Sequence, residues 1–383
     1  MDLFGGISSQ AGTKSQPQPS HKQAPVAKGL MLPGPQPFPI LGMDGAQERL
    51  QSYVAQNRLP HAFLFQGKEG VGKQLFARWI AWQLLQDKSF ETPPTAPLDC
   101  SLYRRMMQGG HGDFLSITPE TKDLSVKQIR QVVQFFRRKP MEGRWRVVII
   151  DQAHRMNRFG ANSLLKILEE PPAYCLLILI AGPAHTLLPT LVSRCSKISF
   201  QGLSRPDFNQ TMSAMTDLPP LPIEQQTRVY RLAEGAPGLA RRIIETDAHL
   251  MLEAFMGTCR YLTHGDFSPI PRFVRQWEVK GRDDAFEIFP YLLFSWTDYL
   301  LRMVFTRQTD QLTAVERQVS AGLSNRVRLL NWVTVLLQST DFFRQTEVFH
   351  LDRGAILYTF FLKLYLEGAK WPVHSTSQRL FTM

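Results

Sequence analysis

Gly67-Lys-Glu-Gly-Val-Gly72-Lys73 sets three glycines and a lysine at the spacing of a loop that closes around phosphate groups. Glycines let backbone N–H groups converge on an anion, and the lysine brings a point charge to its terminal oxygens. The position after the lysine calls for a short hydroxyl to ligate Mg²⁺, and Gln74 stands there instead, which argues against magnesium binding. Asp151 closes a second apolar run, Val147 to Ile150. A carboxylate in that place can hold a metal ion or simply cap the following turn, and the residues alone leave both readings open. Gln152, next in the chain, has an amide that cannot take up a proton, so no general base follows the strand. Gly67, Gly70, Gly72, Lys73 and Asp151 are therefore the candidate residues of a degenerate nucleotide site, expected to bind ATP or ADP weakly if at all.

A loop of this kind works only between a strand and a helix. His61 to Gln66 reads as the strand, and Leu75, Phe76, Trp79 and Ile80 mark one face of the helix. From Gly42 onward short apolar strands alternate with amphipathic helices, the pattern of a parallel-sheet α/β fold. Val126, Ile129, Val132, Val133 and Phe136 define another helix, ringed by Lys127, Arg130, Arg137, Arg138 and Lys139. A solvated helix face is the preferred reading of those charges, with a DNA contact as the rival. A helix carrying Ala161, Leu164, Leu165 and Leu168 must stop at Pro171-Pro172, and Leu176 to Ile180 supplies a further buried strand. After Phe200 the strands give way to helices.

The chain has 383 residues, 44% of them hydrophobic, and a net charge of +11, which suits polyanionic partners without specifying a fold. Its most apolar stretch, Cys175 to Val192, is cut by Gly182, Pro183, His185 and Pro189, short of the ~18 uninterrupted apolar residues of a membrane span. Met1 to Pro17 lacks the pattern of a secretory signal, and a cytoplasmic location without membrane contact is expected. Residues 7–37 are rich in Ser, Gln, Pro, Gly, Ala and Lys, and residues 1–37 are expected to form a flexible tail. Its tip, Asp2-Leu3-Phe4, resembles the end of a clamp-docking peptide, although an unstructured leader is the preferred reading. Cys100, Cys175, Cys195 and Cys259 lie far apart and are expected to be reduced thiols.

Asn162-Ser-Leu-Leu-Lys166-Ile-Leu-Glu169-Glu170-Pro171-Pro172, followed by Ser193-Arg194-Cys195, closely resembles the clamp-loader branch of AAA+ proteins. Arg58-Leu-Pro-His-Ala-Phe-Leu-Phe65, Asp151-Gln-Ala-His-Arg-Met-Asn157 and Ala233-Glu-Gly-Ala-Pro-Gly238 extend the resemblance from about Gly42 to about Ile244. It implies an α/β AAA+ core with a parallel sheet over residues 38–201, a small helical lid over 202–248 and an all-α collar for oligomerisation over 249–383. Phe349 to Tyr358 weakly resembles the closing collar helix. The implied role is that of a subunit in a DNA polymerase III holoenzyme, a DNA-directed DNA polymerase. Its implied partners are gamma/tau and delta subunits and, through the assembly, the sliding clamp and primer-template DNA.

Departures from the family's motor pattern decide which kind of subunit is implied. Where the gamma/tau lid carries Ser-x-Arg, this chain has Ala236-Pro-Gly238, and Ala181-Gly182 replaces the polar sensor. With Gln74 and Gln152, four hydrolysis positions are altered, so a non-hydrolysing subunit is expected. Arg194 of Ser-Arg-Cys would act in trans as an arginine finger on a neighbour's ATP, since its guanidinium is planar, permanently charged and able to grip phosphate with two donors. A strand-end arginine in a local ion pair is the plainer alternative. Rival functions are a gamma/tau-type ATP-hydrolysing motor and a stand-alone DNA-binding protein. The family's zinc module is reduced to Cys100, with Tyr103 about where another ligand would stand, so no zinc is expected. His111 of Met107-Gln-Gly-Gly-His-Gly-Asp113 is expected at the surface.

Overall fold

Side chains on a strand point alternately to opposite faces, and here both faces are apolar, as a sheet covered on two sides requires. Strand β1 (Ala62–Gln66) sends Phe63 and Phe65 one way and Ala62 and Leu64 the other. The computed structural model describes residues 40–88, 90, 100–121, 123–182, 187–262, 266–279, 283–306, 308, 312–322, 331–336, 338, 343 and 352–369. Among them β1 joins β2 (Phe114–Ile117), β3 (Arg146–Ile150), β4 (Cys175–Ala181) and β5 (Ser196–Ser199) in one parallel sheet of order β2-β3-β4-β1-β5.

Helices α1 (Asp44–Ala55) and α2 (Lys73–Leu85) belong to one flank of the sheet, with α3 (Ser101–Met107) nearby. On the other flank lie α4 (Val126–Arg137), α5 (Arg158–Glu169) and the short α6 (Pro189–Val192). Ser125 caps α4 in a reciprocal box with Gln128, whose amide also donates to the Thr118 carbonyl at 2.8 Å. Asn157 caps α5 through Gly160 N–H at 2.8 Å, and that helix stops at Glu169, ahead of the two prolines. Lys127, Arg130, Arg137, Arg138 and Lys139 are all exposed.

Beyond β5 the described elements are helical: α7 (Arg205–Ala214), α8 (Ile223–Ala233), α9 (Pro237–Glu245), α10 (Ala248–Leu262), α11 (Ile270–Trp277), α12 (Asp283–Thr306), α13 (Ala314–Gly322) and α14 (Arg353–Ala369). The apolar cluster on the α2 side of the sheet runs without a break through Val229 and Ile243 to Phe255, Phe289 and Phe361. Phe255 lies against Phe273, Phe289, Trp296, Phe360 and Phe361, with ring centroids 5.5 to 6.5 Å away. An α/β core with a parallel five-stranded sheet, followed among the described residues by helical segments, is thus the fold. No helix among the described residues is long and apolar enough to cross a membrane. The expected tail 1–37, Pro183 to Thr186 and the start of the Phe349 stretch lie outside the described residues.

Candidate functional site

Strand β1 and helix α2 flank the Gly67–Lys73 loop at the C-terminal end of the sheet. Gly72, at φ +100°, turns the chain into α2. Lys73 does not reach into open space. Its Nζ donates to the loop's own Gly67 carbonyl at 2.6 Å and to the Lys68 carbonyl, and the residue is only 7% exposed. Burial lowers its pKa to about 8 against the opposing pull of Asp151 and Glu69.

Helix α9 packs on the same loop. Gly238 N–H at the start of α9 donates to the Gly70 carbonyl at 2.9 Å. Gly70 has φ +81°, and a Cβ there would stand 2.2 Å from Leu239 N, so this contact admits glycine alone. Lys68 pairs with Glu234, and Arg242 bridges Glu69 at 3.9 Å and Glu287 at 2.9 Å. The sequence marks Gly238 as the place of a missing arginine; the structure shows that the same stretch grips the loop backbone.

Asp151 follows β3 directly. Its Oδ1 accepts the Gln152 N–H at 2.8 Å, the turn-capping role left open by the sequence. Burial raises its pKa, partly offset by that hydrogen bond and by Arg78 and Lys73. Gln152 is left-handed at φ +49°, and its Oε1 is buried with no partner. His154 is lowered in pKa, chiefly by burial. Gln74 offers no hydroxyl and Gln152 no base, while Lys73 commits two of its three N–H donors to the loop itself. These residues do not fit a magnesium nucleotide held for hydrolysis, although the loop amides remain suited to an anion. Strand β4 ends at buried Ala181, one residue later than read from sequence, so of the expected sensor pair Ala181-Gly182 only Gly182 follows the strand.

Arg194 lies apart from this cluster, on the rim between α6 and the edge strand β5, with 37% of its side chain exposed. It donates to Glu169 Oε1 at 2.8 Å and to the Thr190 carbonyl at 3.1 Å. The Ser-Arg-Cys and Glu-Glu-Pro-Pro motifs, 25 residues apart, thereby meet in one ion pair. Cys195 beneath it is buried, which pushes its thiol pKa up to about 12.

Cys100 Sγ accepts the Trp82 indole N–H at 3.4 Å, and Tyr103 is buried. His111 departs from expectation: it is buried, not at the surface. Its Nδ1 accepts Asp113 N–H at 3.1 Å, a bond within a tight turn that hydropathy does not register, and burial lowers its pKa. Asp113, which the sequence does not single out, is fully buried and accepts three backbone N–H groups, from Met141 at 2.7 Å, Glu142 at 2.8 Å and Gly143 at 3.2 Å. Its place just before β2, after two glycines, is the available signal. Among the described residues no group of three or more His, Cys, Asp or Glu side chains is placed to hold a metal ion.

Residues 42–204 match the family model described as DNA polymerase III, delta subunit. The chain is 32% identical over 186 residues to the DNA polymerase III subunit delta' of Pseudomonas aeruginosa, covering 48% of this chain and 55% of that protein. The delta' subunit of Bacillus subtilis is 32% identical over 154 residues, covering 40% and 46%. The subunit tau/gamma of Haemophilus influenzae is 30% identical over 202 residues, covering 53% of this chain and 29% of that protein. The chain thus spans about half the length of these delta' relatives and under a third of the tau/gamma one. These matches bear out the resemblance to clamp-loader subunits and support a delta-prime-type chain.

Proposed function

We propose that this chain acts as the delta-prime subunit of a bacterial DNA polymerase III clamp loader, a cytoplasmic assembly with gamma/tau and delta that places the sliding clamp on primed DNA. In this reading it hydrolyses no ATP of its own and supplies Arg194 to the ATP site of a neighbouring gamma/tau subunit. Residues 202–248 serve as the lid and the helices from 249 onward as the collar that joins subunits.

One observation carries the reading: the contrast between an inward-turned Lys73 and a rim-exposed Arg194. A loop whose lysine is consumed by its own carbonyls, with Gln74 and Gln152 at the metal and base positions, has little hydrolysis to offer. An exposed guanidinium held by one surface carboxylate can exchange that partner for phosphate oxygens at small cost, because such pairs contribute only ~0–1 kcal/mol.

The retained Lys73 and Asp151, together with the 30% identity to a tau/gamma subunit, favour a second reading in which the chain is itself a motor. Reconstitution with gamma/tau and delta separates the two. In the first reading Arg194→Ala depresses ATPase and clamp loading while leaving assembly intact, and Lys73→Ala changes little. A harmful Lys73→Ala beside a harmless Arg194→Ala would reverse the assignment.

A further inference from the structure

At the opposite end of the sheet from the phosphate loop, α4 runs out into a strongly basic loop. Arg137, Arg138, Lys139 and Arg144 fall within eight consecutive residues, and all four are exposed. The one carboxylate in that run, Glu142, is already engaged by Arg105 in a two-pronged pair at 3.1 and 2.8 Å. For Arg137, Arg138 and Lys139 the structure gives no acidic partner among the described residues.

An ordinary solvated face does not need its backbone fixed, and this one is. The buried Asp113 carboxylate holds the N–H groups of Met141, Glu142 and Gly143. Buried Arg146 ties the Phe135 carbonyl near the end of α4, at 2.8 Å, to Cys175 Sγ at the start of β4, at 3.4 Å. Arg144 sits over the half-exposed ring of Tyr174, its Cζ 3.8 Å from the centroid, and also donates to the Tyr174 hydroxyl. Trp145 meets that ring edge-on at 5.6 Å. A backbone already held in place leaves less to order on binding, and a guanidinium beside an aromatic ring is suited to both phosphates and bases.

We propose that the Arg137–Arg144 segment with Tyr174 is a binding surface for the phosphodiester backbone of DNA. This proposal does not depend on the delta-prime reading, because it concerns the chain alone. An acidic protein surface is the competing occupant. It offers no regular row of charges and no bases to stack, so the aromatic platform favours nucleic acid.

The test is fluorescence anisotropy of the full chain with a labelled oligo-dT strand and a duplex of equal length, from 50 to 200 mM salt. Four phosphate contacts give a slope of log K on log salt of about −3.6 for the duplex and about −2.8 for the single strand. Arg137→Ser, Arg138→Ser, Lys139→Ser should cut the magnitude of the duplex slope by about 2.7 and weaken binding at least about tenfold at 50 mM. An equal charge change elsewhere, Arg272→Ser, Arg275→Ser, Lys363→Ser, should leave the slope unaltered. Arg137→Lys with Arg138→Lys should keep it, which separates charge from a folding fault. Tyr174→Ala tells the two sources apart: a larger loss on the single strand assigns a stacked base, an equal loss the backbone alone. A triple serine variant that keeps the wild-type slope overturns the proposal. So does one that binds DNA normally but fails to join gamma/tau and delta, since the patch then belongs to an acidic protein.

Discussion

Two cations in this chain, Lys73 and Arg194, sit at positions associated with phosphate chemistry and are treated oppositely by the fold. Lys73 is buried at the start of α2 and donates to the Gly67 and Lys68 carbonyls, beneath α9, where Gly238 bonds the loop. Arg194 stands on the rim beside an edge strand, steadied only by Glu169 and the Thr190 carbonyl. A motif that survives in sequence can therefore be closed in structure, while a three-residue motif at a sheet edge stays available. The difference lies in who competes for the charge: backbone carbonyls a few residues away in one case, a screened surface carboxylate in the other.

The largest expected effect is at Arg194. Arginine fingers contribute ~10³ to 10⁵ in rate where they act. Arg194→Ala should slow turnover at the one ATP site it serves by on the order of 10²-fold or more, and lower the steady-state ATPase of a reconstituted complex by the share which that site carries. An unchanged steady-state rate removes the contrast altogether.

Next comes the cost of burying Lys73. Its folded pKa of about 8 lies below the ordinary lysine value, so the unfolded chain takes up this proton first as pH falls. Stability from this group is complete above the unfolded pKa and is lost as pH drops through about 8, by at most about 3 kcal/mol. Lys73→Met should thus be more stable than wild type at pH 7, with the gap narrowing toward pH 10. Urea titrations at the two pH values check it, and a gap that stays constant with pH contradicts the buried ammonium.

Gly70→Ala addresses the lid contact. With a left-handed backbone and a Cβ 2.2 Å from Leu239 N, the variant should lose about 1–3 kcal/mol. The sharpening measurement is hydrogen exchange at Gly238 and Leu239, which should quicken in the variant. Equal protection in both proteins means that the lid does not rest on the loop.

The smallest effect is at Glu169. Glu169→Ala should change stability by less than about 1 kcal/mol, as for other exposed pairs, and leave the complex active. An ATPase loss as large as that of Arg194→Ala shows that the carboxylate aims the guanidinium and is more than a resting partner.

The features legible in the sequence are those written by strong local signals. Strands β1, β3 and β4 show as runs of Phe, Val, Ile and Leu, and α4 and α5 show through helical spacing and the stop at Pro171-Pro172. Strand β5, Ser-Lys-Ile-Ser, buries one apolar residue and escapes notice because an edge strand needs little hydrophobicity once its backbone pairs with β1. Strand β3 begins earlier than its apolar run because Arg146 is buried by bonds to the Phe135 carbonyl and Cys175, which hydropathy cannot anticipate. At the candidate site, the altered identities of Gln74, Gln152 and Gly238 were readable. The inward turn of Lys73, the identity of Glu169 as the partner in the ion pair foreseen for Arg194, and the burial of His111 were not, since each depends on contacts between separate elements or on the exact turn of the backbone.

The apolar cluster that begins on the sheet at Phe63 and ends among Phe255, Phe289 and Phe361 has a consequence for how the molecule comes apart. Packed side chains shared between neighbouring segments couple their opening, so local unfolding in one raises the cost of leaving the other folded. Deuterium labelling should therefore find the slowest amides of α2, α9, α10 and α12 exchanging as one unit, and a protease should release no long-lived helical fragment from the C-terminal half. A cavity cut at Phe255 would be felt 180 residues away in sequence, as a loosening of the helix that begins at Lys73.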